Sequence, residues 1–373
     1  MAGVYIHIPF CKKACHYCNF HFSTSIGLQK PFIAAIIKEI ELQKEYLKEG
    51  VSTIYFGGGT PSLLASSDIE DILDKIYATW NVDANAEITL EANPDDIVEE
   101  KSNDWKSIGI NRLSIGVQSF FEEDLLWMNR AHTSTQAIEC INIVRDTGFD
   151  NFTIDLIYGT PTLSDNNWKK NIETALALNI PHLSCYALTV EPKTALEKMI
   201  EKKTVANVNP ETQAKHFELL MSWMQQAGYE HYEISNFAKP GYRSKHNSSY
   251  WQGKPYIGLG PSAHSFNGHS RQWNIANNAL YIQGLENNSI LFEKELLTKS
   301  QQLNEYIMTS LRTIEGISLQ KLQVDFGDEY YNHVVASAAV PIQNEHLIND
   351  GNCIRTTLKG KLYADGIAAH LFV

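Results

Sequence analysis

Over its first two-thirds the chain repeats one pattern. A short run of β-branched and other apolar residues ends in Gly, Pro or an acidic residue, and a longer segment with apolar positions at helical spacing follows. The pattern predicts strands over residues 4–8, 53–56, 88–91, 112–117, 152–157 and 182–190, with helices between them. Residues 31–47 show the helical half of the rhythm. Phe32, Ile36, Ile40 and Leu42 or Leu47 fall near one face, and Lys38, Glu39, Lys44 and Glu45 fall elsewhere. Alternating strands and helices imply a parallel sheet. The first strand has no dinucleotide fingerprint behind it, and Gly57-Gly58-Gly59-Thr60-Pro61 after the second is not GxGxxG. The expected fold is therefore α/β, a partial (β/α)6 barrel of TIM-like construction.

Beyond the sixth strand, residues 206–227 read as a helix running into an extended 229–234. A loop-rich, aromatic region follows. After a polar link at 286–289, Leu303, Ile307 and Leu311 recur every fourth residue, and Ser318 is placed to cap a short helix. Pro341 should break or kink a helix within 336–345, and Asp350-Gly351 reads as the turn of a hairpin over 347–354. Helices followed by a hairpin suggest a winged-helix-like α+β domain. The expected organisation is a barrel at 1–235, a loop-rich extension at 236–289 and this domain at 290–373.

Composition narrows the functional classes. Of 373 residues, 43% are hydrophobic and 20% charged, which suits a folded globular protein. A net charge of -12 leaves no excess of Lys and Arg to neutralise phosphates, so nucleic acid is not the expected partner. For the terminal domain, packing or partner docking is preferred to DNA binding. The chain opens with no signal peptide and contains no run of about 18 apolar residues, so a cytoplasmic location is expected.

Three of the six cysteines, Cys11, Cys15 and Cys18, lie within eight residues directly behind the first strand. In a reducing compartment such a cluster is metal-binding or catalytic rather than disulfide-forming. Cx3CxxC lets three thiolates converge on an iron-sulfur cube and leave one iron open. A structural zinc site using His16 as a fourth ligand is the competing reading. Cys140, Cys185 and Cys353 are scattered and read as small buried hydrophobes.

In a parallel barrel the loops at the carboxyl ends of the strands build the site. The unusual residues fall there: the cysteine loop, then Gly58, Gly59 and Thr60, then Glu91, Gln118 and Asp155. Glycines admit a ligand close to the backbone, the carboxylates suit an ammonium or ribose hydroxyls, and Arg130 could grip a carboxylate. Each alone reads equally well as a turn or strand terminus. Together they would hold a zwitterionic nucleoside.

Cx3CxxC after the first strand, with Gly-Gly-Gly-Thr-Pro after the second, resembles the radical S-adenosylmethionine (SAM) family. Residues Tyr5 through Cys11, with Tyr17-Cys18-Asn19-Phe20, resemble its branch related to oxygen-independent coproporphyrinogen III oxidase. The resemblance implies that Cys11, Cys15 and Cys18 ligate a 4Fe-4S cluster whose open iron chelates SAM. It further implies that Tyr5, Gly58, Gly59, Thr60, Glu91, Gln118, Arg130 and Asp155 line the SAM site, with Tyr17 near the adenine. The oxidase pattern has a further cysteine where this chain has Phe20, and a longer segment before the cluster than the ten residues here. Oxidative decarboxylation of coproporphyrinogen III is thus the alternative reading, and whether the chain is an enzyme stays open.

His246-Asn247-Ser248-Ser249-Tyr250-Trp251 supplies an imidazole and aromatics, which suit a flat ligand. On composition alone, a histidine hydrogen-bonded within a loop is the simpler reading. The segment is similar to the HNxxYW motif of the heme chaperone members of this branch, the HemW type. That resemblance implies heme binding through His246 and delivery to acceptor proteins, respiratory ones foremost, with peripheral membrane association possible.

Overall fold

The computed structural model describes residues Met1–Val373. Six strands lie side by side in sequence order, all parallel: β1 (Ala2–Ile8), β2 (Val51–Gly58), β3 (Val82–Ala92), β4 (Arg112–Gln118), β5 (Phe152–Tyr158) and β6 (His182–Ala187). Between them run α1 (Gln29–Leu42), α2 (Ser66–Thr79), α3 (Glu99–Ser107), α4 (Glu122–Trp127), α5 (Ser134–Asp146) and α6 (Asp165–Ala177). This is the expected α/β partial barrel. Local chemistry starts its helices: Thr133 and Gln136 cap α5 reciprocally, and Ser164 accepts from Asn167 N–H at the start of α6.

The strands alternate strictly. Val4, Ile6 and Ile8, Ile54 and Phe56, Leu113 and Ile115, and Ile154 and Leu156 belong to one apolar core with the helices. Their neighbours on the other face are Tyr5, His7, Thr53, Tyr55, Glu87, Thr89, Glu91, Arg112, Ser114, Thr153, Asp155, His182 and Ser184. One face is thus oily and the other polar. The barrel interior is the polar face.

After β6 come α7 (Ala195–Glu201), α8 (Pro210–Gln226) and the antiparallel β7 (Glu230–Glu233) and β8 (Asn236–Ala238), ordered β6-β8-β7. The region 236–289, which the sequence presents as loop-rich, carries regular elements. These are β8, α9 (Lys245–Trp251), β9 (Tyr256–Leu259), β10 (His264–Phe266), β11 (Ser270–Asn274) and α10 (Asn278–Glu286). Strand β9 pairs in parallel with β1, and Ile257, Leu259, Tyr281 and Leu285 join the main apolar core. With β12 (Phe292–Leu296) at one edge and β7 at the other, the sheet stays open at twelve strands. The sixth strand ends at Ala187 rather than residue 190, and the first helix ends at Leu42 rather than residue 47.

The terminal unit follows helix-strand-helix-helix-hairpin order. It comprises α11 (Lys299–Leu311), β13 (Ile317–Ser318), α12 (Leu319–Lys321), α13 (Asp328–Ser337), α14 (Ala339–Gln343), β14 (Leu347–Asn349), β15 (Cys353–Thr356), α15 (Leu358–Lys361) and α16 (Ala364–Leu371). Its three antiparallel strands are ordered β13-β15-β14, a winged-helix-like arrangement. Ser318 caps as the sequence predicts, accepting from Lys321 N–H. The chain breaks between α13 and α14, which puts Pro341 in a first turn where its missing N–H costs little. The unit has its own core around Leu303, Ile307, Val334, Ile354 and Leu371. Backbone bonds from Ile234 N to Arg312 O (3.0 Å) and from Ile314 N to Tyr232 O (2.9 Å) tie it to the barrel. No helix is long and apolar enough to cross a membrane.

One buried carboxylate joins α1 to the late strands. Glu39 is fully buried and accepts from Tyr281 Oη (2.5 Å), Asn274 Nδ2 (2.6 Å) and Gly260 N (2.8 Å). Burial pushes its pKa up, and these donors oppose that shift. Glu39→Ala should therefore cost about 3 kcal/mol in urea unfolding, by orphaning three buried donors. Glu39→Gln, which keeps one acceptor oxygen, should cost less. Equal unfolding midpoints for Glu39→Ala and the wild type would show that the network carries no stability.

Candidate functional site

The carboxyl ends of β1 to β5 converge on one mouth, and most of the predicted residues meet there. Tyr5 and Tyr55 stack at 6.1 Å. The Tyr55 hydroxyl donates to Glu91 Oε1 (2.7 Å), and Gly58 N–H donates to Glu91 Oε2 (3.2 Å). Arg130 donates from Nη1 to Cys15 Sγ (3.2 Å) and from Nη2 to Asn93 Oδ1 (2.7 Å) and Gly116 O (2.9 Å). Asn93 Nδ2 also reaches Thr60 Oγ1 (3.4 Å). A Cβ on Gly116 would meet Arg130 Nη2 and Gln118 Nε2, each at 3.0 Å, so Gln118 lies against the same guanidinium. Gln118 takes φ +65°, a left-handed conformation that is strained for a side chain other than Gly. Tyr17 faces Arg130 and rests on Leu125, Met128 and Leu196.

Two glycines shape the wall beside the cysteines. Gly58 has φ +105°, and a Cβ there would strike the His7 ring at 2.6 Å. A Cβ on Gly59 would lie 2.7 Å from Phe10 O, 2.8 Å from Ile8 O and 3.0 Å from Cys11 Sγ. The glycine turn therefore passes directly against the first cluster cysteine. Only a residue without a side chain fits.

Charge at the mouth is unbalanced. Burial pushes Glu91 up to about 8, with Asp155 adding repulsion, while the Tyr55 hydroxyl pulls it down. Burial likewise raises Asp155 to about 6, although Ser184 and Arg130 oppose it. Burial raises Cys11 to about 11. Arg130 is the cation set among these groups, and its Nε is buried without a partner. Two buried carboxylates that repel one another, with Arg130 beside Asp155, suit a cationic ligand.

The donor set fits a SAM-bearing cluster. Three half-exposed cysteines share one loop, an arginine N–H has no partner, and the glycine turn packs directly against Cys11. No three His, Cys, Asp or Glu side chains close round a single ion. His16, the fourth ligand a zinc site would need, has Nδ1 2.8 Å from Trp127 O.

His246 lies at the opposite end of the barrel. It is 1% exposed, with Nδ1 2.8 Å from Thr53 Oγ1 and Nε2 2.8 Å from Tyr250 Oη. Its ring stacks on Tyr55 at 4.9 Å, and its N–H donates to Glu87 Oε1 (3.0 Å). Thr53 pairs in register with Gly3 and Glu87, which places these residues at the amino ends of the strands. Both imidazole nitrogens of His246 are hydrogen-bonded in this structure, so ligation of heme iron by His246 would require one of these bonds to break. The histidine plugs the barrel floor. Trp251 of the same segment lies under the Arg312 guanidinium at 5.5 Å and helps hold the terminal unit.

Sequence reasoning passed over Tyr55, Asn93 and His7. Tyr55 and His7 were legible from period-two alternation, since they share a face with Thr53 and Tyr5. Asn93, next to Pro94, reads as a strand terminus until Arg130 is seen to reach it.

Burial pulls His246 down to about 3. Below pH 6.5 the unfolded chain protonates this ring and the folded chain does not, so its contribution to stability is full above that pH and declines as pH falls toward 3. His246→Gln should cost about 1–3 kcal/mol at pH 7.5. The gap to wild type should then narrow by about 1 kcal/mol per pH unit in urea unfolding from pH 6 to 4. A gap that stays constant across that range would mean His246 is not buried neutral.

The sequence profile of the Radical SAM superfamily matches residues 5–175. The chain's fold is similar to that of coproporphyrinogen III oxidase (HemN) from Escherichia coli, a radical SAM enzyme. The TM-score is 0.86 at 22% identity, covering 100% of this chain and 90% of that one, a likeness of fold. The chain is also 37% identical to the heme chaperone HemW of Escherichia coli, over 70% of this chain and 69% of that protein. Against the heme chaperone HemW of Bacillus subtilis it is 33% identical, over 98% of both chains. Identity at that level along nearly the whole of both proteins means that the chain belongs to the HemW family, within the radical SAM superfamily.

Proposed function

We propose that the protein is a heme chaperone that binds heme and passes it to acceptor proteins while carrying a 4Fe-4S cluster and SAM. The observation that carries this is full-length identity to proteins named heme chaperones. Phe20 supports it against the oxidase reading, because the position that holds a further cysteine in the oxidase pattern is here a 64% exposed phenylalanine. On this reading the acceptors are respiratory proteins, met by peripheral association with a membrane.

Cys11, Cys15 and Cys18 would hold the cluster. Tyr5, Gly58, Gly59, Thr60, Glu91, Gln118, Arg130 and Asp155 would hold SAM, with Tyr17 beside the adenine. When bound, the reduced cluster supplies an electron to the sulfonium. The protein's own part is electrostatic and steric. Glu91, pinned by Tyr55 and Gly58, offers a fixed carboxyl that ionises against a cationic ligand. Arg130 neutralises the thiolate side at Cys15 and has Nε left for a carboxylate. The glycine turn lets the ligand approach the backbone.

Two experiments test this reading. Gly59→Ala should drive a methyl into Cys11 and lower bound iron and sulfide after anaerobic reconstitution at least several-fold, while Cys353→Ala leaves both unchanged. Iron and sulfide at wild-type level in Gly59→Ala would remove the cluster from this loop. Separately, the reconstituted protein should take up heme stoichiometrically in a spectral titration and leave coproporphyrinogen III unconsumed. Turnover to protoporphyrinogen without a stoichiometric heme spectrum would make it the oxidase.

A further inference from the structure

The run Leu291-Phe292-Glu293-Lys294-Glu295-Leu296 sets three alternating charges between apolar residues. Its strand, β12, is one edge of the twelve-stranded sheet, and every residue of it is exposed. Neither apolar core includes it. Its one neighbour, β11, buries Ser270, Gln272 and Asn274 on the side where Gln272 meets Gln43 at the end of α1. On that same side β12 carries Phe292 and Leu296, 46% and 74% exposed. The helical cover of the sheet thus stops one strand short of its edge.

The register decides which backbone groups that edge leaves open. β12 runs antiparallel to β11, with Glu293 opposite Trp273 and Glu295 opposite Arg271. Leu297 N–H donates to His269 O (3.0 Å), and Ile275 N–H donates to Leu291 O (2.9 Å). Hydrogen-bonded pairs alternate along an antiparallel ladder, so the odd-numbered residues from 291 to 297 bond to β11. The N–H and C=O groups of Phe292, Lys294 and Leu296 therefore point away from the sheet. They form an unfilled template for one more strand. Of the three charged side chains only Glu295 has a partner, the Gln301 amide at 3.0 Å.

A second copy of the chain does not fit this template. Two identical antiparallel edges are related by a two-fold axis normal to the sheet, which sets one residue opposite its own copy. Centred on Glu293 or Glu295, that register opposes two glutamates. Centred on Lys294, it opposes two lysines and brings the glutamates of each copy against those of the other. Like charges directly opposite one another destabilise a strand pair. The same charges accept a strand of the opposite pattern, with basic side chains facing Glu293 and Glu295 and an acidic one facing Lys294. Apolar side chains then face Phe292 and Leu296. The net charge of -12 favours the approach of such a basic segment.

We propose that β12 is a docking edge that adds an extended segment of a partner protein to the sheet, a segment patterned apolar-basic-acidic-basic-apolar. Main-chain bonds to Phe292, Lys294 and Leu296 hold the segment, and the cross-strand charges select it. The inference goes beyond the heme-chaperone reading and stands without it.

Two capped peptides, titrated into the full-length protein by fluorescence anisotropy, test the edge. One is Thr-Val-Lys-Glu-Lys-Val-Thr, and the other is its charge-reversed counterpart Thr-Val-Glu-Lys-Glu-Val-Thr. The first should bind saturably and roughly tenfold more tightly than the second, because three cross-strand charge pairs change sign between them. Lys294→Pro deletes an outward N–H and spares the ladder to β11, so it should weaken the first peptide roughly tenfold while the thermal midpoint holds. The triple variant Glu293→Lys, Lys294→Glu, Glu295→Lys should reverse the preference between the peptides. Absence of saturable binding by the first peptide, or equal binding of both peptides to wild type and triple variant, would overturn the docking edge. A homodimer in sedimentation equilibrium that Lys294→Pro dissociates would overturn it too, since the occupant would then be a second copy.

Discussion

Everything in this fold follows from one constraint, a parallel barrel whose inner face is polar. In most such barrels the interior is filled by branched apolar side chains. Here Thr53, Glu87, Arg112, Thr153, His182 and Ser184 line it almost fully buried. Burying such groups without partners would cost several kcal/mol each. The partners come from segments late in the chain. His182 is 2.6 Å from Thr153 and 2.7 Å from Tyr232, and α9 delivers His246 to Thr53 and its own N–H to Glu87. The satisfaction is not complete, since Thr89 Oγ1 and Arg112 Nη2 keep no partner. The chain beyond β6 is thus what makes the interior affordable.

A closed floor and an open mouth divide the barrel by role. At the floor, hydrogen bonds saturate every polar atom of His246 that could bind a ligand. At the mouth, saturation is partial: Glu91 is pinned on two sides, yet it still faces Asp155, and Arg130 lies beside Asp155 and the cluster loop. Rigid posts with unbalanced charge are what a cationic ligand requires, because their orientation is fixed before it arrives. The tyrosine that pins Glu91 also carries the His246 ring on its face. Tyr55 is therefore a physical link from floor to mouth.

How far the sequence could be read follows the same division. The six parallel units were legible because each strand's oily face alternates with helical periodicity in the segments between. The cluster loop and the glycine turn were legible because their spacing is local. The region 236–289 was not, since β9 is four residues long, is followed by Gly260-Pro261, and pairs with β1 more than two hundred residues upstream. Short strands completing a distant edge leave no local signature. His246 misled for a related reason. An imidazole between aromatics has the same appearance in sequence whether it awaits a ligand or fills a hole, and only Thr53, from the far end of the chain, distinguishes the two.

That distinction bears on where heme can be held. Releasing one ring nitrogen of His246 to iron would orphan Thr53 Oγ1 or Tyr250 Oη, at about 1–3 kcal/mol for the buried group left unpaired. It would also break the stack on Tyr55, worth about 0.5–1.5 kcal/mol. A total near 3 kcal/mol would weaken apparent affinity by roughly two orders of magnitude, at about 1.4 kcal/mol per decade.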